Sequence, residues 1–391
     1  MNLPEAEIAP DLIEAAIGKD TAWTLKPTEL KWKPGPEYLP EKNNFVMSMG
    51  IERSPKGRLW ISWFGGGDSK DAYILLARSD DDGKSWSDPL FVIDPETSPK
   101  GVRQRSLVGN LWTDPQGRLW IFFDKALRFF DGRAGVWASV CENPDAEIPV
   151  WSTPERIWHG STLNKPTVLS NGEWLLSVSL WQRKYMSDFP ASPELFKELD
   201  PYRMAHVFVS GDKGKNWTRR GGVNTPCRQF DEQMIIERRD GSLLMFIRTD
   251  YGIAETESFD RGSSWTAPEK SRLEHVSARI FVRRLASGRI LLVKHGELYK
   301  KPESRSHLTA YLSDDDCKTW HGGLLLDERP GVSYPDGFQS PDGTIYIAYD
   351  RNRINGEILL CTFSEEDILH GKASSSKARF KAVIKRCACV D

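Results

Sequence analysis

The stretch that decides the fold is "SDDDGKSW", Ser79 to Trp86. It returns as "SGDKGKNW" (Ser210 to Trp217), "SFDRGSSW" (Ser258 to Trp265) and "SDDDCKTW" (Ser313 to Trp320). The shared pattern is Ser-x-Asp-x-Gly-x-x-Trp. Each part has a physical use in a hairpin. The Asp carboxylate accepts hydrogen bonds from the turn's own backbone. Gly supplies a reversed dihedral. Trp plugs the gap to a neighbouring strand. In the fourth copy Cys317 replaces Gly, which predicts a strained or differently shaped turn. Trp151, in "VWSTPERIW", reads as a fifth and degenerate copy, because Trp-Ser-Thr-Pro echoes the residues from Trp86 to Pro89.

A second signal recurs ahead of the boxes: a polar turn with Gly, then a run of β-branched, aromatic and aliphatic residues. The copies are "SPKGRLWISW" (Gly57), "DPQGRLWIFF" (Gly117), "SNGEWLLSVS" (Gly172), "RRDGSLLMFI" (Gly241), "ASGRILLVKH" (Gly288) and "SPDGTIYIAY" (Gly343). Each predicts a tight hairpin leading into a buried strand. Six units of several short strands describe an all-β, six-bladed β-propeller rather than a helical solenoid. The expected propeller spans residues 43–371, with an N-terminal flanking segment 1–42 and a C-terminal tail 372–391. The material ahead of the first repeat is expected to close the ring against the last blade. Helices are expected only at 193–199 and 364–371.

Composition narrows the function. The 391 residues carry a net charge of −2 with no long run of one sign, which argues against nucleic acid. No window approaches a membrane-spanning length. The first twenty residues lack a basic end and an apolar stretch, so a cytoplasmic location is expected unless a leader has been removed. Cys141, Cys227, Cys317, Cys361, Cys387 and Cys389 have no metal-ligand spacing. No metal or other cofactor is therefore expected. Fifteen Trp is a high count, and most are assigned to packing because they lie within the repeats.

In a propeller the innermost strand of each blade lines the central funnel. Nine residues before each turn Gly stand Ser48, Val108, Leu163, Glu232, Arg279 and Tyr334. An acid, a base and a phenol on consecutive blades should converge at the axis. Asn110, Lys165 and Asp336, seven residues before their Gly, are further candidates to bind substrate. Arg248 ends the strand in "LLMFIRTDYG", and Asp68 sits in the glycine-rich loop "WFGGGDSKD". Gly65 to Gly67 do not make a phosphate loop, since no Lys-Ser/Thr follows in register. His275 and His295 flank the blade-five strand and are expected to be surface or supporting groups.

The boxes resemble the Asp-boxes of the sialidase (neuraminidase) superfamily, and the chain is similar to its BNR-repeat propellers over nearly its whole length. "GNLWTDPQGRLWIFF", "NKPTVLSNGEWLL", "SARIFVRRLASGRILLVKHG" and "SYPDGFQSPDGTIYIAYD" carry the likeness. The resemblance implies a Tyr nucleophile with a Glu partner, a loop Asp as acid/base, and three Arg that clamp a carboxylate. It assigns these roles to Tyr334, Glu232 and Asp68 (with Asp71 the nearest rival), and gives clamp positions to Arg248 and Arg279. The first clamp Arg, normally in a Phe/Tyr-Arg-Ile-Pro stretch, is missing: the strand reads "NNFVMSMG", with Ser48 in its place. Pro335-Asp336 adds a carboxylate close to Tyr334.

The resemblance implies a glycoside hydrolase acting on a terminal acidic sugar, a sialic acid or a uronate. A Tyr nucleophile suits a substrate whose own negative charge would repel a carboxylate. Two other readings remain open from sequence. One is a propeller-type polysaccharide lyase, with Tyr334 or a His abstracting a proton. The other is a non-catalytic carbohydrate-binding propeller.

Overall fold

In the computed structural model, residues 22–39, 42–97, 102–133, 135–187 and 195–387 are described. Their strands form six antiparallel sheets, arranged as the blades of a β-propeller. Each blade uses four strands in chain order from the axis outward, and blade one adds a fifth on its outer edge. The innermost strands are Met47–Arg53, Gln104–Thr113, Thr167–Val168, Arg228–Glu237, Phe281–Arg284 and Val332–Gln339. Each leads into its second strand through one of the predicted turns. The Gly57, Gly117, Gly172, Gly241, Gly288 and Gly343 amides all donate to the carbonyl three residues back, at 2.8–3.0 Å. All six glycines have positive φ, from 82° to 107°, which a side chain would resist.

The octapeptide boxes join third strands to outer strands. In the first box, Asp81 Oδ1 accepts from the Lys84 and Ser85 amides at 3.1 and 2.9 Å, and Ser79 Oγ accepts from the Gly83 amide at 2.8 Å. Hydrogen bonds led by the Ser85 hydroxyl hold the Asp81 carboxyl down to about 2. The Cys317 copy keeps the same wiring, with its amide on Ser313 Oγ at 3.0 Å. It does so at φ 72°, so the turn is strained but not reshaped. Trp151 bridges to Cys141 at the matching place in blade two. In blade six a short capped helix, Glu365–His370, stands where a box would be. The second expected helix is a 3-10 turn over Lys197–Tyr202.

The many Trp pack blade against blade. Trp60 of blade one meets Trp151 of blade two edge-on at 6.2 Å. Trp112 of blade two meets Trp174 of blade three at 4.8 Å. Such contacts favour a closed ring of fixed size.

One expected boundary moves. The C-terminal tail is not separate, because Arg379–Arg386 is the outer strand of blade six. Among the described residues ahead of the first repeat, Lys31–Trp32 pairs with Phe91–Ile93 on the outer edge of blade one. The residues nearer the repeat close the ring against the last blade, with Phe45 bridging Ile354 and the Val46 amide donating to the Arg353 carbonyl at 2.9 Å. Cys389 and residues 1–21 lie outside the described residues.

Candidate active site

Four innermost strands are irregular at the same level. Register shifts fall at Ser48/Gly50, Val108/Asn110, Asp231/Met234 and Ser333/Asp336. Phe230, Asp231 and Glu232 are consecutive residues with φ of 58°, 59° and 46°, and Tyr334 has φ 52°. Left-handed backbone at non-glycine residues costs on the order of 1–3 kcal/mol each and re-aims the side chains. Here it turns Glu232 and Tyr334 toward the end of the propeller where second strands connect to third strands.

That end carries the other charged groups. Arg248 closes the strand Leu243–Thr249 of blade four. Asp68, Arg305 and Arg353 lie in the second-to-third connections of blades one, five and six. Tyr334 Oη donates to Glu232 Oε1. The same oxygen accepts from Arg248 Nη1 at 2.7 Å, and Arg248 Nη1 also reaches Tyr334 Oη at 3.4 Å. Burial, and then the Glu232 charge, push the Tyr334 phenol well above its usual value, while Arg248 and Arg353 pull the other way.

Two serines link the three guanidiniums. Ser277 Oγ accepts from Arg248 Nε at 3.2 Å, and the Ser277 carbonyl accepts from Arg305 Nη2 at 2.9 Å. Ser333 Oγ accepts from Arg305 Nη1 at 2.9 Å and from Arg353 Nη2 at 3.4 Å. Arg353 lies 4.7 Å from the centre of the Tyr334 ring. Its Nε donates to Asp350 Oδ1 at 3.2 Å, and its Nη1 is 3.7 Å from Asp68 Oδ2. Asp350 is fully buried, and burial raises its carboxyl to about 6 against the pull of Arg353.

A cavity opens beside these groups. Asp68, Glu232 and Tyr334 line one part of it, and Met47, Phe64, Phe129, Trp181 and Phe230 much of the rest. Tyr185 stacks on Phe230 with centroids 4.4 Å apart, and Trp181 meets Phe230 at 5.1 Å. The cavity thus sets a polar cluster against an aromatic wall.

The structure therefore brings together Tyr334, Glu232, Arg248 and Asp68. Asp71 does not line the cavity; it faces Arg103, 3.7 Å away. Four other expected residues belong elsewhere. The Arg279 side chain is wholly buried, with Nε on Asn164 Oδ1 at 2.7 Å and Nη2 on Asp336 Oδ1 at 3.1 Å. Lys165 Nζ is held by the Ile51 and Leu111 carbonyls, both at 2.7 Å, and by Asp336 Oδ2 at 2.9 Å. This network plugs the channel beneath the site. It also fixes the Glu232 backbone, whose carbonyl accepts from Asn164 Nδ2 at 2.8 Å. Asn110 is fully buried and does not line the cavity. Arg279 has no left-handed backbone and lies just ahead of the inner strand Phe281–Arg284, so its side chain is not re-aimed to the mouth as those of Glu232 and Tyr334 are.

Counting back from turn glycines could not reach Arg305 or Arg353, because both lie on loops after the second strand. One signal was available. Asp68 stands eleven residues after Gly57, and Arg353 ten residues after Gly343. His275 and His295 are not surface groups. They are buried side by side, with His295 Nδ1 3.1 Å from His275 Nε2 and its Nε2 on the Val332 carbonyl at 2.9 Å.

Comparison with known proteins agrees with this architecture. No curated protein matches the chain in sequence. Among solved structures, the intramolecular trans-sialidase of Ruminococcus gnavus in complex with oseltamivir carboxylate superposes with a TM-score of 0.63 at 13% identity, covering 88% of this chain and 98% of that one. A protein of unknown function from Dyadobacter fermentans gives 0.58 at 17% identity, over 85% and 96%. The α-L-arabinanase of Penicillium chrysogenum, complexed with arabinobiose, gives 0.54 at 13% identity, over 88% and 99%. At these identities the likeness is one of fold. Residues 57–347 match the model of the BNR repeat-like domain, and the chain belongs to that family.

Proposed function

We propose that the protein is a glycoside hydrolase that removes a terminal acidic sugar from a glycan, with Tyr334 as nucleophile. The observation that carries this reading is one carboxylate oxygen, Glu232 Oε1, that accepts from both the Tyr334 hydroxyl and Arg248. A phenol whose pKa is raised by burial is a poor nucleophile alone. Glu232 takes its proton as the phenol oxygen bonds to the anomeric carbon, and Arg248 offsets the charge on the pair. Asp68 protonates the leaving oxygen. In the second half, Asp68 draws a proton from water, the water oxygen displaces the sugar from Tyr334, and Glu232 returns its proton to the departing phenol oxygen.

Arg248 and Arg305 bind the sugar's anionic group. Arg305 takes the part that sequence assigned to Arg279. Its guanidinium is half-buried beside Tyr334 and has no carboxylate at ion-pair distance among the described residues. The aromatic wall of Phe129, Trp181 and Phe230 supports packing of a sugar face.

The test is release of free sugar from aryl and oligosaccharide sialosides and uronides by the wild type and Tyr334→Phe, with absorbance followed for unsaturated ends. Release that is lost in the variant supports hydrolysis, and the responding substrate names the sugar. An ultraviolet-absorbing unsaturated product would replace hydrolysis by a lyase reaction. Binding without turnover in either form would leave a carbohydrate-binding propeller.

A further inference from the structure

The far end of the central channel carries a second charged cavity. It lies where the first-to-second turns of blades one, two, five and six face one another, opposite the mouth that holds Tyr334. Its volume is about 420 Å³, within the range of about 300–1,000 Å³ that small-molecule sites occupy. An adjoining cavity of about 210 Å³, between blades three, four and five, shares Phe281, Arg283 and Arg284 with it.

Most charges on these walls are already paired. Asp114 Oδ2 holds Arg118 Nε at 2.6 Å, Glu52 Oε2 lies 3.3 Å from Lys165 Nζ, and Arg284 Nη2 meets Asp316 Oδ1 at 2.7 Å. Glu237, on the adjoining cavity, accepts from the Ser170 amide and hydroxyl at 2.7 and 2.8 Å. Arg53 and Arg283 differ. They are half-buried on the inner strands of blades one and five, and both line the larger cavity. Neither guanidinium has a hydrogen-bond or ion-pair partner among the described residues. Half-buried guanidiniums elsewhere are neutralised, Arg58 by Asp80 and Arg220 by Glu173, each at 2.6 Å. Two like charges facing one partly desolvated space repel each other and favour an anion between them. Phe281, Leu285 and Phe338 add an apolar wall.

We propose that this cavity is a second ligand site, which takes a small phosphate monoester through Arg53 and Arg283. A phosphate monoester carries a charge of about −1.5 to −2 at pH 7, which matches two guanidiniums. A carboxylate carries one charge and leaves one guanidinium uncompensated. The three terminal phosphate oxygens accept from two planar donor groups at once. The apolar wall packs against the organic part of the ester. The site is one of binding, independent of the glycoside chemistry at the opposite mouth.

The experiment is calorimetric titration of the whole chain with inorganic phosphate, glucose 6-phosphate, acetate and glucose, at low and at physiological ionic strength. The variants are Arg53→Ala, Arg283→Ala, Arg283→Gln and Arg305→Ala. The wild type should bind glucose 6-phosphate more tightly than inorganic phosphate, and both at least about tenfold more tightly than acetate or glucose. Arg53→Ala and Arg283→Ala should each weaken the ester at least about tenfold. Arg283→Gln keeps most of the side chain's bulk, and carries the test if the alanine variants do not fold. Arg305→Ala, at the Tyr334 mouth, should leave the ester affinity unchanged. Absence of binding of either phosphate by the wild type would overturn the site. So would a loss confined to Arg305→Ala, which places the anion at the Tyr334 mouth. Acetate binding as tightly as phosphate would overturn recognition of a dianion. Inorganic phosphate binding as tightly as the ester would overturn the ester and leave an inorganic-ion site.

Discussion

Tyr334 and Glu232 share a hydrogen bond, phenol to carboxylate, across 102 residues of sequence and from two different blades. Both reach it through left-handed backbone on a bulged innermost strand. The pair is therefore a product of closing the ring. Neither strand could hold the other's side chain in place without the intervening blade five.

Tyr334→Phe should lower kcat on the responsive glycoside about a thousandfold and leave the melting temperature within a few degrees of wild type. The ring stays packed and only the hydroxyl is lost. Steady-state kinetics beside a thermal melt decides this. Retention of more than a tenth of the activity would remove Tyr334 from the chemistry.

Arg279 and Arg305 should separate cleanly. Arg279→Ala leaves Asp336 with one fewer buried partner and should cost about 3–5 kcal/mol of stability. Arg305→Ala lies at the site and should raise KM for the acidic glycoside at least about tenfold with little loss of stability. Chemical denaturation and kinetics on both variants test the assignment. A stable Arg279→Ala with a raised KM would restore the role that sequence first gave it.

Acid should destabilise the fold through its buried imidazoles. Burial lowers His295 to about 3 and holds His275 well below the ordinary 6.5. Below 6.5 the unfolded chain binds protons that the folded rings refuse, so stability falls as pH drops from 6.5 toward 3. The loss is on the order of 2 kcal/mol per ring by pH 5. Asp350, raised to about 6, acts in the opposite direction: its folded form holds a proton that the unfolded chain releases, so its contribution falls as pH rises from about 4 to 6. Unfolding measured from pH 7 to 4 should show a net decline. His275→Gln should flatten it and Asp350→Asn should steepen it.

Asp81→Ala should lower the melting temperature while leaving kcat and KM unchanged. The Asp81 carboxylate wires its own turn on the outer edge of blade one and takes no part in the site. A changed KM with an unchanged melt would contradict a purely structural box.

Much of the candidate site was legible because repeats fix register. Each turn glycine marks the end of an inner strand, so counting back from Gly241 and Gly343 reached Glu232 and Tyr334. The same count reached Arg279 and misread it. Equal spacing gives equal height on the blade, but a bulge decides whether the side chain faces the mouth or the channel below. Arg248 was reached because it ends a regular strand.

The sequence by itself determined the local parts: six glycine turns, four boxes, and hence six blades around an axis. These depend on dihedral preference and short-range hydrogen bonds, which neighbouring residues specify. Only the tertiary structure decided that Arg279 and Lys165 are balanced in the channel by Asp336 and by Glu52, 3.3 Å from Lys165 Nζ, and that Arg305 and Arg353 stand beside Tyr334. Those outcomes rest on charge pairing between blades far apart in sequence, where burial makes an unpaired ion costly and ring closure selects the partners.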